Sequence, residues 1–254
     1  MRIKNEKELK ILREGGRRLA DIMNIISQIA APGIAAAELD RRAEELILKQ
    51  GGFPAFKGYK TSDAKIPYPS SLCVSVNDEI VHAPPSVRIL KDGDIASLDL
   101  GMEWKGFYTD MAVTVPIGNV DKKSLKLIKI TKKALELGIS AVKNGGRVGD
   151  IGFAVESYVK SEGFCVVKEL VGHGVGRQVH EKPEIPNWGK KGAGFLLEEG
   201  MVLALEPMVN AGAEKIKLAE DGWTWKTADG SRSAHFEHTV AVTKTGAEIL
   251  TITW

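Results

Sequence analysis

Four carboxylates sit where the sequence around them is apolar. In MVLALEPMV (201–209), Glu206 is flanked by aliphatic residues, Met and Pro207, so an ionised side chain there would cost several kcal/mol unless protonated, paired or bound to a metal. Asp99 in DIASLDLGM (94–102), Asp110 in FYTDMAVTV (107–115) and Glu237 in SAHFEHTVAVT occupy comparable runs. All five histidines, His82, His173, His180, His235 and His238, fall in these or similarly marked stretches: IVHAPP, VGHGVGR, VHEKPEIP and SAHFEH. A lone Asp at a strand end is usually a cap and a lone buried His is usually core, but the clustering argues against packing alone. Carboxylates brought together repel, and a divalent cation between them converts repulsion into attraction. An oxygen-rich set with an imidazole suits Mn, Fe(II), Co or Zn. Two such ions about 3.5–4 Å apart would activate a water and stabilise the oxyanion of a hydrolysed carbonyl.

The elements that must position these groups are legible from periodicity. Apolar residues at near-helical spacing predict helices over about 6–30, 36–49, 121–143 and 149–161, with Pro32-Gly33, Gly51-Gly52 and Gly145-Gly146 as breaks. Strands are predicted at 71–76, 94–102, 107–115, 164–170, 201–210 and 234–242, and in AEILTIT at the end; Trp104-Lys105-Gly106 reads as a hairpin turn. If 94–102 pairs with 107–115, Asp99 and Asp110 are expected across from each other, and Glu206 and Glu237 likewise. LKDGDIASLDL (90–100) laid over LEEGMVLALEP (197–207) matches Asp99 with Glu206. FYTDMAV (107–113) is set against HFEHTVA (235–241), with Asp110 matched to Glu237. The expectation is one domain over 1–254 built of two related halves, about 1–118 and 119–254.

Composition excludes several classes. With 254 residues, 43% hydrophobic and 27% charged, the chain is ordinary globular protein, and its net charge of +2 does not call for nucleic acid. Lys122, Lys123, Lys126, Lys129, Lys132 and Lys133 read as a solvated helix face that an anionic partner would fit. Two cysteines, Cys73 and Cys165, offer neither a disulfide framework nor a thiolate zinc site, which points to a reducing cytoplasm. The N-terminal MRIKNEKELKILREGG lacks a signal peptide's apolar core, and no run spans a membrane. GHGVG lacks dinucleotide-loop spacing, HEKPE lacks the second His of a zinc-protease helix, and SYVK lies within an amphipathic helix.

Seven segments in order, SLCVSVNDEIVHAPP, KDGDIASLDLG, GFYTDMAVTV, GHGVGRQVHEKPEIPNW, EPMVNAG, DGWTWKT and SAHFEHTVAVT, resemble the type I methionine aminopeptidases over nearly the whole chain. The resemblance implies an α+β pita-bread fold: a curved antiparallel sheet, helices on its outer face, an internal pseudo-two-fold repeat and a dinuclear metal site. It implies Asp99, Asp110, His173, Glu206 and Glu237 as metal ligands, with Asp110 and Glu237 bridging, Asp99 holding one ion, and His173 with Glu206 the other. Glu206 would also shuttle the proton, His82 and His180 would hydrogen-bond the substrate, and Tyr68, Cys73 and Trp223 would line the methionine pocket. A monovalent cation near Asn77 and Ser233, small second residues in the substrate, nascent chains and the ribosome as partners, and a cytoplasmic monomer complete the expectation. Ala83 and Val179 depart from the residues the family commonly shows. Two alternatives stand beside it: an Xaa-Pro peptidase of the same fold, and a non-catalytic binder of peptides or partners.

Overall fold

The computed structural model describes residues 4–60 and 66–252. Its helices are α1 (Glu6–Ile29), α2 (Ala36–Lys49), α3 (Lys122–Ala141) and α4 (Val148–Ser161). The strands are β1 (Phe53–Pro54), β2 (Leu72–Val76), β3 (Glu79–Val81), β4 (Ile95–Trp104), β5 (Phe107–Pro116), β6 (Cys165–Val166), β7 (Val171–Gly174), β8 (Glu181–Pro186), β9 (Val202–Leu205), β10 (Met208–Asn210), β11 (Ile216–Leu218), β12 (Trp225–Thr227), β13 (Ser233–His235), β14 (Glu237–Val242) and β15 (Ala247–Ile249). No helix among the described residues is long and apolar enough to cross a membrane.

The main sheet runs β1-β4-β5-β14-β9-β7-β8, with β2 on β4 and β15 on β14, and its neighbours are antiparallel. Alternation along each strand separates two faces. Leu98, Leu100 and Met102 of β4 and Met111 of β5 pack with Leu19, Ile22, Met23 and Ile26 of α1 and with Leu39, Ala43 and Ile47 of α2. Leu203, Leu205, Val240 and Val242 pack with Leu135 and Ile139 of α3 and Ile151 of α4. Each such Leu, Ile, Val or Met side chain, buried, contributes about 1.5–3 kcal/mol, so the helices are fixed to one side. The opposite face is left to Ser97, Asp99, Asp110, Thr114, Glu237 and Thr239.

Several expectations need correction. The hairpin pairs Asp99 with Ala112 and Gly101 with Asp110. The two aspartates are therefore diagonal neighbours on one face, not directly opposite, because the turn occupies only Lys105 and Gly106. Read letter by letter, FYTDMAV over HFEHTVA sets Thr109 against Glu237, and a one-residue shift is needed to bring Asp110 onto it. The expected continuous strands 201–210 and 234–242 are each broken beside a carboxylate. Pro207, which has no N–H to extend the ladder, ends β9 after Leu205 and releases the chain into a small sheet, β13-β10-β6. The chain returns from β13 at Phe236 and enters β14 at Glu237. The strand expected over 164–170 is short β6 followed by β7, and the expected terminal strand stops at Ile249, its Thr253 lying outside the described residues. A third sheet, β11-β12-β3, brings Leu218 and Trp225 to the cavity on the polar face, and His82 follows β3 directly.

Candidate active site

Each carboxylate comes from a different strand or strand end. Thr239 clamps β5 to β14 at Asp110: its Oγ1 accepts from the Asp110 N–H at 2.8 Å and donates to the Asp110 carbonyl at 2.7 Å. Thr114 makes the same double contact with His235, accepting from its N–H and donating to its carbonyl, both at 2.8 Å. The β9–β14 register that pairs Leu205 with His238 places Glu206 beside Glu237, and the Glu206 carbonyl accepts from Asn187 Nδ2 at 3.0 Å. His173 pairs with Ala204 in the ladder, so its ring shares the face of Glu206, two residues on.

The result is a cavity of about 440 Å³ lined by all ten residues named from the sequence: Asp99, Asp110, His173, Glu206, Glu237, His82, His180, Tyr68, Cys73 and Trp223. Ligand atoms of Asp110, His173 and Glu237 lie within 4.8 Å of one another. Asp99 Oδ1, Asp110 Oδ1 and Glu237 Oε1 are buried without a hydrogen-bond partner. Such orphaned oxygens are costly unless something cationic or protic meets them. The His173 contact says the same. Its Nδ1 lies 2.9 Å from the Gly174 carbonyl, which can only accept, so Nε2 presents a lone pair to Glu206 Oε1 at 3.4 Å. Two acceptors face each other there, and a proton or a cation is needed between them. The donor set therefore fits a divalent metal.

Electrostatics agree with the geometry. Burial, reinforced by mutual repulsion, pushes Asp99, Glu206 and Glu237 well above the usual carboxylate range, and burial lifts Asp110 to about 7. Burial lowers His173 to about 3 and His82 to about 4, keeping both imidazoles neutral. His82 holds a left-handed φ of 61° just after β3, a strained conformation for a non-glycine residue of the kind found at functional sites. His180 is partly open to solvent, and its enclosure by protein on the other sides shifts its pKa downward. Its Nδ1 meets the Tyr59 hydroxyl at 2.7 Å, and its ring lies edge-on to His173 at 4.4 Å.

At the apolar end, Tyr68, Cys73 and Trp223 pack with Phe56 and Tyr59, and Tyr68 meets Trp223 edge to face at 5.2 Å. The Tyr68 hydroxyl sits 3.2 Å from the Ala83 carbonyl and 3.3 Å from that of Leu72, so its proton is taken up by backbone. Cys73 pairs with Asp99 across β2 and β4, which sets the sulfur beside the acidic cluster; burial pushes its thiol pKa up and keeps it protonated.

Sequence reasoning missed Tyr59, whose place in FKGYKT carries no periodic signal, and the Phe56, Leu218 and Trp225 walls. It counted His235 without a role. That ring is buried with both nitrogens unpartnered, its Nε2 3.8 Å from Glu206 and 3.9 Å from Glu237. The i, i+2 spacing of His235 and Glu237 was the available clue.

The description of metallopeptidase family M24 matches residues 10–244. Methionine aminopeptidase 1 of Bacillus subtilis is 47% identical over 98% of both chains. The crystal structure of methionine aminopeptidase from Thermotoga maritima superposes with a TM-score of 0.95 at 42% identity, covering 99% of each chain. The prolidase from Pyrococcus horikoshii shares the fold alone, at 22% identity and a TM-score of 0.76, and this chain covers 64% of it.

Proposed function

The chain belongs to metallopeptidase family M24, and from that premise we propose that it is a type I methionine aminopeptidase that removes the first methionine from peptides and nascent chains whose second residue is small. The observation that carries this reading is the single cavity in which buried, unpartnered carboxylate oxygens meet an apolar pocket holding a sulfur and aromatic rings.

Asp99, Asp110, His173, Glu206 and Glu237 would hold two divalent cations; Mn, Fe(II), Co and Zn suit this donor set. Bound there, the metals supply Lewis acidity and an acidified water. The protein's own groups do the rest. The apolar wall of Tyr68, Cys73 and Trp223 takes the methionine side chain, where a thioether finds polarizable contacts. Glu206 accepts a proton from the attacking water and passes it to the departing amine, as a carboxylate placed at the reacting centre can. Tyr59, held protonated by burial, donates to His180 Nδ1, which leaves the proton of that imidazole on Nε2. His82 and His180 then donate to the substrate amide and to the oxyanion of the tetrahedral intermediate.

The same reading takes the chain as one domain of two related halves, 1–118 and 119–254, acting as a cytoplasmic monomer. The exposed lysines along α3 support work at the ribosome. The Asn77 carbonyl accepts from the Ser233 N–H at 2.8 Å, so backbone from the two segments meets where a monovalent cation is expected. The deciding experiment is methionine release from Met-Ala-Ser and Met-Lys-Ser by protein stripped of metal and reloaded with Mn or Co. Release from the first peptide alone, dependent on metal and abolished by Glu206→Ala, is expected. No release with any metal from folded protein would defeat the reading.

A further inference from the structure

We propose that Lys4 is a positioning residue for His180, acting through Glu181 from a point 177 residues away in the sequence. The inference rests on the reading of His180 as a substrate donor.

Lys4 is buried, 3% exposed, and its Nζ meets Glu181 Oε2 at 3.0 Å. Its backbone N–H is tied to the Gly200 carbonyl at 2.8 Å, so the side chain enters from a fixed point. The other oxygen of Glu181 closes the turn before it, accepting from the N–H of Arg177 at 2.7 Å and of Gln178 at 3.3 Å. One carboxylate thus ties Arg177 and Gln178 in the middle of the β7–β8 turn to the first residue of β8, and His180 is the residue immediately before it. Gly176 supplies the seat. Its φ of +152° disfavours a side chain, and a Cβ there would lie 2.3 Å from Lys4 Cε and 2.6 Å from Nζ, so the lysine end would have to move.

A second tether runs beside the first. Arg177 donates to Glu8 at 2.7 Å and stacks 4.8 Å over the Phe107 ring, while Glu8 also accepts from the Asn5 N–H at 2.9 Å in the capping box of α1. The N-terminal segment and first turn of α1 therefore dock against the turn that bears His180. Lys4 does not line the cavity. An ammonium and a carboxylate so deeply buried are poorly screened by salt, and such pairs are best attested as devices that fix geometry. Here the geometry fixed is that of an imidazole whose ring must lie against both Tyr59 and His173.

The test uses Lys4→Met, which keeps most of the side-chain length, and the double variant Lys4→Met/Glu181→Gln, which leaves no unpaired buried charge should the single variant fail to fold. Two quantities are read: kcat and KM for Met-Ala-Ser with metal-loaded enzyme, and the imidazole nitrogen NMR signals of metal-free protein, with His180 assigned from His180→Asn. In both variants kcat is expected to fall about tenfold, below the roughly 100-fold that a 1 Å misplacement can cost, with KM within twofold. The His180 signals should shift or broaden while those of His238 stay in place. Wild-type kcat together with unchanged His180 signals in the folded variants would overturn the proposal. If wild-type protein itself releases no methionine, the functional reading fails, and the His180 signals alone then decide whether Lys4 positions that ring.

Discussion

Loading the site with metal should raise the melting temperature by about 5–10 °C at pH 7.5 and by little at pH 5. In the metal-free fold the Asp110 pKa is raised from 3.8 to about 7, chiefly by burial. A raised carboxyl pKa makes ionisation the costly step, so its contribution to stability is whole below about pH 3.8 and is lost as pH rises through about 7. A divalent cation among Asp110, His173 and Glu237 removes that penalty by meeting the ionised form. At pH 7.5 the carboxyl of Asp110 is largely ready to bind. At pH 5 a proton must be displaced first, at a cost of about 3 kcal/mol. Free metal at 100 times its Kd at pH 7.5 stabilises by about 2.7 kcal/mol, and each kcal/mol moves the melting point of a chain this size by about 2–4 °C. The two terms nearly cancel at pH 5. Calorimetry of chelator-treated and Mn-loaded protein in non-coordinating buffer measures the difference. Equal shifts at both pH values, or a larger one at pH 5, would refute the assignment of buried carboxyls as the groups that meet the cation.

Two further outcomes follow from single contacts. Tyr59→Phe removes the hydroxyl at His180 Nδ1; a hydrogen bond of about 0.5–1.5 kcal/mol corresponds to a kcat roughly 2- to 12-fold lower, read by steady-state kinetics on Met-Ala-Ser, and an unchanged kcat would remove Tyr59 from the mechanism. Gly101→Ala puts a Cβ 2.7 Å from Phe56 Cε1 and 2.9 Å from the Ala55 Cβ, on the sheet face between Asp99 and Asp110. The overpacking should cost about 1–3 kcal/mol, visible as a lower urea midpoint, and an unaltered midpoint would mean that the Phe56 wall yields freely.

The sequence by itself determined which residues could share chemistry. A carboxylate inside MVLALEPMV is a local contradiction between burial and charge, and contradictions of that kind are visible without coordinates. Helical period gave α2 its limits, and the hairpin about Lys105-Gly106 followed from turn chemistry. What local pattern could not decide was which groups face each other across long separations. The diagonal offset of Asp99 and Asp110 depends on ladder register, and the breaks beside Glu206 and Glu237 depend on a second sheet receiving the chain. Tyr59 reaches His180 across 121 residues, and Lys4 reaches Glu181 across 177. Neither pair leaves a periodic trace, because only tertiary packing brings their backbones together. Burial strong enough to raise the carboxyl pKa values is likewise a property of the assembled cavity, since no short segment can exclude water from four acids at once.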